Sequence, residues 1–140
     1  MLYLDTSLII SAITNEPRSP DAYAWLSQQA DQDLTVSWWV TTEVSSALSH
    51  KLRTGQIDLA SRNLALAAYH ALVADSLRLV EVVPNCFSTA AGFADQHGLG
   101  LRGADALHLG IAAEYGATVC TMDRRLSEAA PLVGVPAMLI

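Results

Sequence analysis

Short apolar runs alternate with longer stretches of helical periodicity along the whole chain, and this alternation constrains the fold more than any other feature. The runs at 2–4, 34–37, 79–83, 118–121 and 136–140 are compact, apolar and bounded by polar or turn residues, as buried strands are. Between them, stretches at 7–14, 20–30, 40–53, 59–74, 85–97, 104–115 and 124–130 space their apolar residues for helices. Strands separated by helices need crossover connections, so neighbouring strands run parallel and the sheet is covered on both faces. The expected fold is α/β: a three-layer α/β/α sandwich around a central, mainly parallel sheet of about five strands.

Local punctuation supports these segments. Ser19 before Pro20 predicts an N-cap followed by proline in the first turn, and Asp58 before Leu59 predicts another cap. Gly55, Gly98 and Gly116 are each placed to stop a helix, because glycine accepts the left-handed conformation that ends one. No low-complexity linker, long charge block or internal repeat divides the chain, so residues 1–140 are expected to form a single domain. A chain of this length with 51% hydrophobic residues can bury a core without a staple. Cys86 and Cys120 stand far apart in apolar runs and are expected to be reduced core residues of a cytoplasmic protein. No apolar stretch reaches the ~18–20 residues of a membrane span, and no basic region precedes the first apolar residues. Neither membrane insertion nor secretion is expected.

The acids carry the functional signal. In an open parallel sheet, ligands bind beyond the carboxyl ends of the strands. Asp5 follows the first expected strand directly, and Asp123 lies two residues past the fourth. Glu43 comes six residues after Ser37, early in the helix leaving the second strand, so it should face the same edge. Asp105 is not placed by this rule, because its helix precedes a strand. Arg102-Gly103-Ala104-Asp105 instead reads as a helix N-terminus, where an acid is favoured by the helix dipole. Helical spacing puts Asp105, His108, Leu109 and Ala112 on one face. Singly, each acid has an ordinary role as a cap, a dipole partner or a solvated surface residue.

Together they carry a resemblance. Leu4-Asp5-Thr6-Ser7, Thr42-Glu43-Val44-Ser45-Ser46-Ala47-Leu48, Ala104-Asp105-Ala106-Leu107-His108-Leu109 and Thr121-Met122-Asp123 resemble the four acidic motifs of PIN-domain nucleases, in particular the VapC-type toxins of bacterial toxin–antitoxin pairs. Order, spacing and total length agree over essentially the whole chain, and the Ala-Asp-Ala-Leu-His-Leu segment is the most distinctive. The resemblance implies a parallel sheet, cleavage of an RNA substrate, a homodimer, and neutralisation by a small cognate antitoxin protein. It also implies a catalytic metal site for Mg²⁺ or Mn²⁺ made by Asp5, Glu43, Asp105 and Asp123. Ser7 and Thr121 match hydroxyl positions that support the site in relatives.

The chemistry suits that residue set. Four carboxylates at close range repel, and at least one should hold a proton unless a cation is present. All-oxygen ligation suits hard Mg²⁺ or Mn²⁺, which would orient and acidify a water and neutralise phosphoryl charge. Asp5, on a strand end, is the expected central ligand. Glu43 could ligate or accept a proton from the attacking water. His108, a lone histidine in an apolar helix, is read as a hydrogen-bonded structural residue and is left out of catalysis.

The net charge of −6, with eight Lys plus Arg, argues against binding RNA mainly by phosphate neutralisation, although bound cations would reverse the local charge at the acids. Arg102, Arg124 and Arg125 flank the acids and are the candidate RNA contacts; Lys51 and Arg53 follow Glu43 on its helix. Trp38 and Trp39 could stack bases or serve as core or dimer contacts. A haloacid-dehalogenase-like phosphatase would need an acid where Ser7 stands, and a response regulator would need an acceptor Asp where the 79–83 run meets Pro84. The stronger alternative is a catalytically inactive binding module on the same fold.

Overall fold

The computed structural model describes residues 1–140. Its elements are β1 (Leu2–Leu4), α1 (Thr6–Ile13), α2 (Ser19–Ser27), β2 (Leu34–Ser37), α3 (Trp38–Arg53), α4 (Leu59–Asp75), β3 (Arg78–Val80), α5 (Pro84–Ala94), α6 (Gly103–Tyr115), β4 (Thr118–Thr121), α7 (Arg124–Ala129) and β5 (Ala137–Leu139). Two short 3-10 turns lie at His97–Leu99 and Ala130–Val133. All five strands are parallel, in the order β3-β2-β1-β4-β5. Every residue of β2 is buried, as are Tyr3 and Leu4 of β1, so helices cover both faces of the sheet. The expected α/β/α sandwich is therefore the observed one.

The strand order places the functional edge. From β1 the chain steps outward through β2 to β3, then returns to the other side of β1 for β4 and β5. The order reverses between β1 and β4, and such a switch point opens a crevice at the carboxyl strand ends. Register makes those two ends adjacent: Leu4 pairs with Cys120, and the Asp5 N–H donates to the Cys120 carbonyl at 3.1 Å. Asp5 and Asp123 both leave the sheet there.

Several boundaries differ from the sequence-based expectation. β3 ends at Val80 rather than at residue 83, because its partner β2 ends at Ser37, which pairs with Val80, and turns directly into α3. Val83 then takes the extended conformation that a residue before proline favours, and Pro84 opens α5. Helix α3 begins at Trp38, with Ser37 as N-cap accepting from the Val40 N–H at 3.4 Å, so Glu43 sits in the second helical turn. Ser19 is helical rather than a cap; its hydroxyl donates to the Thr14 carbonyl at 2.7 Å and accepts from the Glu16 N–H at 2.9 Å, bracing the α1–α2 turn. Helix α5 stops at Ala94, and the left-handed residue in the following turn is Gly100, not Gly98. Asp58 caps α4 as expected, accepting from the Ser61 N–H at 2.7 Å, and Gly55 and Gly116 take positive φ just after α3 and α6.

Cys86 and Cys120 are free and buried in the core, and burial pushes both thiols up, Cys120 to about 12. No helix is long and apolar enough to cross a membrane.

Candidate active site

Asp5 is the buried centre of the switch-point edge, only 3% exposed. It caps α1, with Oδ1 accepting from the Leu8 N–H at 3.0 Å. The Ser7 hydroxyl donates to Oδ1 at 2.8 Å and the Thr121 hydroxyl to Oδ2 at 2.7 Å. Those hydroxyls are themselves anchored by backbone: the Met122 N–H donates to Ser7 Oγ and the Asp123 N–H to Thr121 Oγ1, each at 2.9 Å. Burial raises the Asp5 carboxyl above its ordinary range, against the lowering effects of His108 and of the bonds from Thr121, Leu8 and Ser7. The raised value thus comes from desolvation rather than from repulsion among carboxylates.

Asp123 is exposed and caps α7, with Oδ1 accepting from the Arg125 and Leu126 N–H groups at 2.8 and 3.2 Å. Asp105 lies in the first turn of α6, within 3.4 Å of the Arg102 N–H. Asp105 and Asp123 line one cleft of about 1020 Å³, together with Ser7, Arg102, Arg124 and Arg125. The ordinary capping role and a place on the cleft therefore coincide in Asp123.

Glu43 belongs to a neighbouring group. It lines a second pocket of about 490 Å³ and accepts hydrogen bonds from Thr6 and from His108 Nε2, the latter at 2.7 Å. His108 Nδ1 lies 2.9 Å from the Tyr3 hydroxyl, which is 2.9 Å from Ser37 Oγ. A proton on Nε2 given to Glu43 leaves Nδ1 to accept from Tyr3, whose oxygen can accept from Ser37. Burial drives the Tyr3 phenol far above its ordinary value, so it serves as a neutral hydrogen-bonding post. Burial also acts to raise Glu43, but the hydrogen bond and electrostatic attraction of His108, with the Thr6 bond, outweigh it and hold the carboxyl below 4.5.

A folded-state value below the unfolded one contributes stability above the unfolded value, and that stability is lost as pH falls through the folded value. In EDTA, wild type is expected to melt above Glu43→Gln near about pH 6, with the gap closing below about pH 4. Thermal melts across that range check this; a constant gap would place the stabilisation elsewhere.

Sequence reasoning missed Tyr3, Thr6 and Ser37 and kept His108 out of the site. The His108 signal was its helical turn from Asp105; Tyr3 in a buried strand reads only as core. Trp38 and Trp39 line neither cleft: Trp38 donates to Glu81 Oε1 at 3.3 Å, and the Trp39 indole N–H is buried without a partner.

A family model described as the PIN domain matches residues 2–132. The chain belongs to the PIN domain family. A comparison with curated proteins finds no match. Among solved structures the fold is similar to FitAcB from Neisseria gonorrhoeae, with TM-score 0.71 and 19% identity over 99% of this chain and 96% of that one. It is also similar to VapBC2 from Rickettsia felis bound to a promoter DNA fragment, with TM-score 0.72 and 20% identity over 99% and 98% of the two chains. VapC20 of Mycobacterium tuberculosis, described as a sarcin-ricin loop cleaving toxin, gives TM-score 0.71 and 15% identity over 92% and 95%.

For a PIN domain chain, the fit to a divalent cation can be judged from the donors. In kind they fit: they are hard carboxylate oxygens at one sheet edge, flanked by hydroxyls. In arrangement, no three Asp, Glu, His or Cys side chains converge closely enough to share one ion. Asp105 and Asp123 share a cleft, Asp5 is joined to that cleft through Ser7, and Glu43 is held in the adjoining pocket by His108 and Thr6. Mg²⁺ commonly takes one or two carboxylates and keeps several waters, so the Asp105–Asp123 cleft suffices in donor number.

Proposed function

We propose that the protein is a Mg²⁺- or Mn²⁺-dependent ribonuclease that hydrolyses RNA phosphodiester bonds. The observation that carries this reading is the cleft shared by Asp105 and Asp123 at the switch point, joined through Ser7 to buried Asp5. Nucleases of the PIN family generally use divalent metal ions. Asp105 and Asp123 would hold the ion, with Asp5, joined to them through Ser7, and Glu43 beside them; when bound, it would supply electrostatic stabilisation of phosphoryl charge and acidify a water.

The chain's own groups do the rest. Ser7 and Thr121 fix both oxygens of Asp5, so its orientation is set before substrate arrives. His108 and Thr6 hold Glu43 ionised and aimed, as a proton acceptor must be. Arg102, Arg124 and Arg125 on the cleft wall would receive the phosphates of the strand.

The proposal extends to the role of toxin in a toxin–antitoxin pair, supported by the likeness to VapC20, a sarcin-ricin loop cleaving toxin. The motif resemblance further implies that the protein works as a homodimer and is neutralised by a small antitoxin protein. Purified protein incubated with structured RNA and Mg²⁺ or Mn²⁺ is expected to yield discrete fragments, and EDTA or Asp123→Asn should suppress them at least about 10-fold. Undiminished cleavage in EDTA would sink the metal mechanism. The lack of a three-acid cluster favours one rival, the inactive binding module, and failure of wild type to cleave any RNA with either metal would support it.

A further inference from the structure

The cationic side chains are segregated. Arg102, Arg124 and Arg125 line the first cleft, and Lys51 and Arg53 line the second pocket beside Glu43. Away from both, Arg18 is neutralised by Asp21 at 3.3 Å and Arg78 by Asp33 at 3.0 Å, while Arg62 donates to Asn63 Oδ1 at 3.1 Å. None of Arg53, Arg102, Arg124 and Arg125 joins an ion pair, although the chain carries 14 acids to 8 Lys plus Arg. Unpaired arginines gathered around the acids of an acidic protein leave guanidinium donors free for an external anion.

The two pockets adjoin. Thr6 lines the second and Ser7, the next residue, lines the first, so they meet at the start of α1 beside Asp5. A strand lying in the first cleft with a phosphate at Asp105 and Asp123 can continue past Ser7 and Thr6 into the second. There it would meet the Ser46 and Ser49 hydroxyls and the Gln56 amide, which suit sugar hydroxyls and phosphate oxygens. Glu43 is the one acid on that wall, and His108 and Thr6 already engage it. Lys51 is committed to Glu16 and lies 3.4 Å from Gln56 Oε1. Arg53 spends one N–H on His50 Nδ1 at 3.3 Å and keeps the rest of its exposed fork.

We propose that the pocket along α3 holds the RNA backbone on one side of the scissile phosphate, with Arg53 as its phosphate contact, opposite the arginines of the first cleft. This site rests on the ribonuclease reading above.

The test compares wild type, Arg53→Gln and, as a control, Arg62→Gln, whose arginine lies outside both pockets. Fluorescence anisotropy in EDTA measures binding of a labelled single-stranded RNA long enough to span both pockets, over a salt series. Cleavage kinetics with Mg²⁺ or Mn²⁺ run alongside. Arg53→Gln is expected to weaken binding roughly three- to tenfold and to lower the slope of log affinity against log salt by about 0.7, the value for one phosphate contact to a single strand. KM should rise by a similar factor with kcat near wild type, and Arg53→Lys should restore most of the salt slope. If wild type binds and cleaves RNA while Arg53→Gln matches Arg62→Gln in affinity, slope and KM, the second pocket is not an RNA site and the ribonuclease reading stands. A wild type that neither binds nor cleaves RNA overturns both.

Discussion

Asp5→Asn is expected to reduce RNA cleavage by at least about 100-fold while raising the melting temperature of the metal-free protein. The two effects share one cause. Burial lifts the folded-state carboxyl above 3.8, so the stability linked to Asp5 is fully present below its unfolded value and is lost as pH rises through the folded one. At neutral pH this desolvated carboxyl is a cost of folding that a bound cation would offset. Asparagine removes the charge and keeps the shape. Its Oδ1 can still accept from Leu8 and Ser7, and asparagine is as good a cap as aspartate. Its amide can donate to Thr121 Oγ1, provided the Thr121 proton turns to Ser7 Oγ, 3.2 Å away. Melts of both proteins in EDTA should show the variant higher by a few degrees near about pH 7.5 and the difference shrinking toward about pH 4, where each kcal/mol is worth roughly 2–6 °C for a chain of this length. Cleavage equal to wild type would remove Asp5 from the reaction, and a lower melting temperature at neutral pH would refute the electrostatic account.

The second large effect has the opposite sign to its propensity. Gly110 lies inside α6, where alanine is ordinarily favoured by about 1 kcal/mol. A Cβ there would sit 2.4 Å from the Cys86 carbonyl oxygen, 3.1 Å from the Ala90 nitrogen and 3.2 Å from the Ala90 Cβ. These are mostly backbone atoms of α5, so no side chain can swing aside. Gly110→Ala is expected to force α5 and α6 apart and to destabilise the protein by about 1–3 kcal/mol or more despite the propensity gain. Because α6 carries Asp105 and His108, cleavage should fall as well. Urea melts would measure the loss; an unchanged or raised midpoint would show that the helices separate at little cost.

The sequence was most informative where a feature depends on near neighbours in the chain. The strands at 34–37 and 118–121 were read to their observed limits, and the caps at Asp58 and the glycine stops at Gly55 and Gly116 stand where their local conformations demand. Errors arose where distant chain overrode the local signal. β3 loses its last expected residues because β2 ends opposite Val80, and Ser19 gives its hydroxyl to the α1–α2 turn rather than to a helix end. The candidate site divides in the same way. That Asp5 and Asp123 leave strand ends is legible from apolar runs, but that their strands are neighbours is not.

Periodicity and turn chemistry, by themselves, determined that this chain alternates strands with helices and that its acids fall at element ends, because those preferences act over a few residues. Tertiary structure alone decided the order β3-β2-β1-β4-β5, the placement of Glu43 with His108 rather than with Asp105 and Asp123, the contact that only glycine at 110 allows, and the gathering of unpaired arginines around two adjoining pockets. Each of these joins residues remote in sequence, and its free energy comes from close packing, burial and charge in three dimensions, which local pattern does not encode.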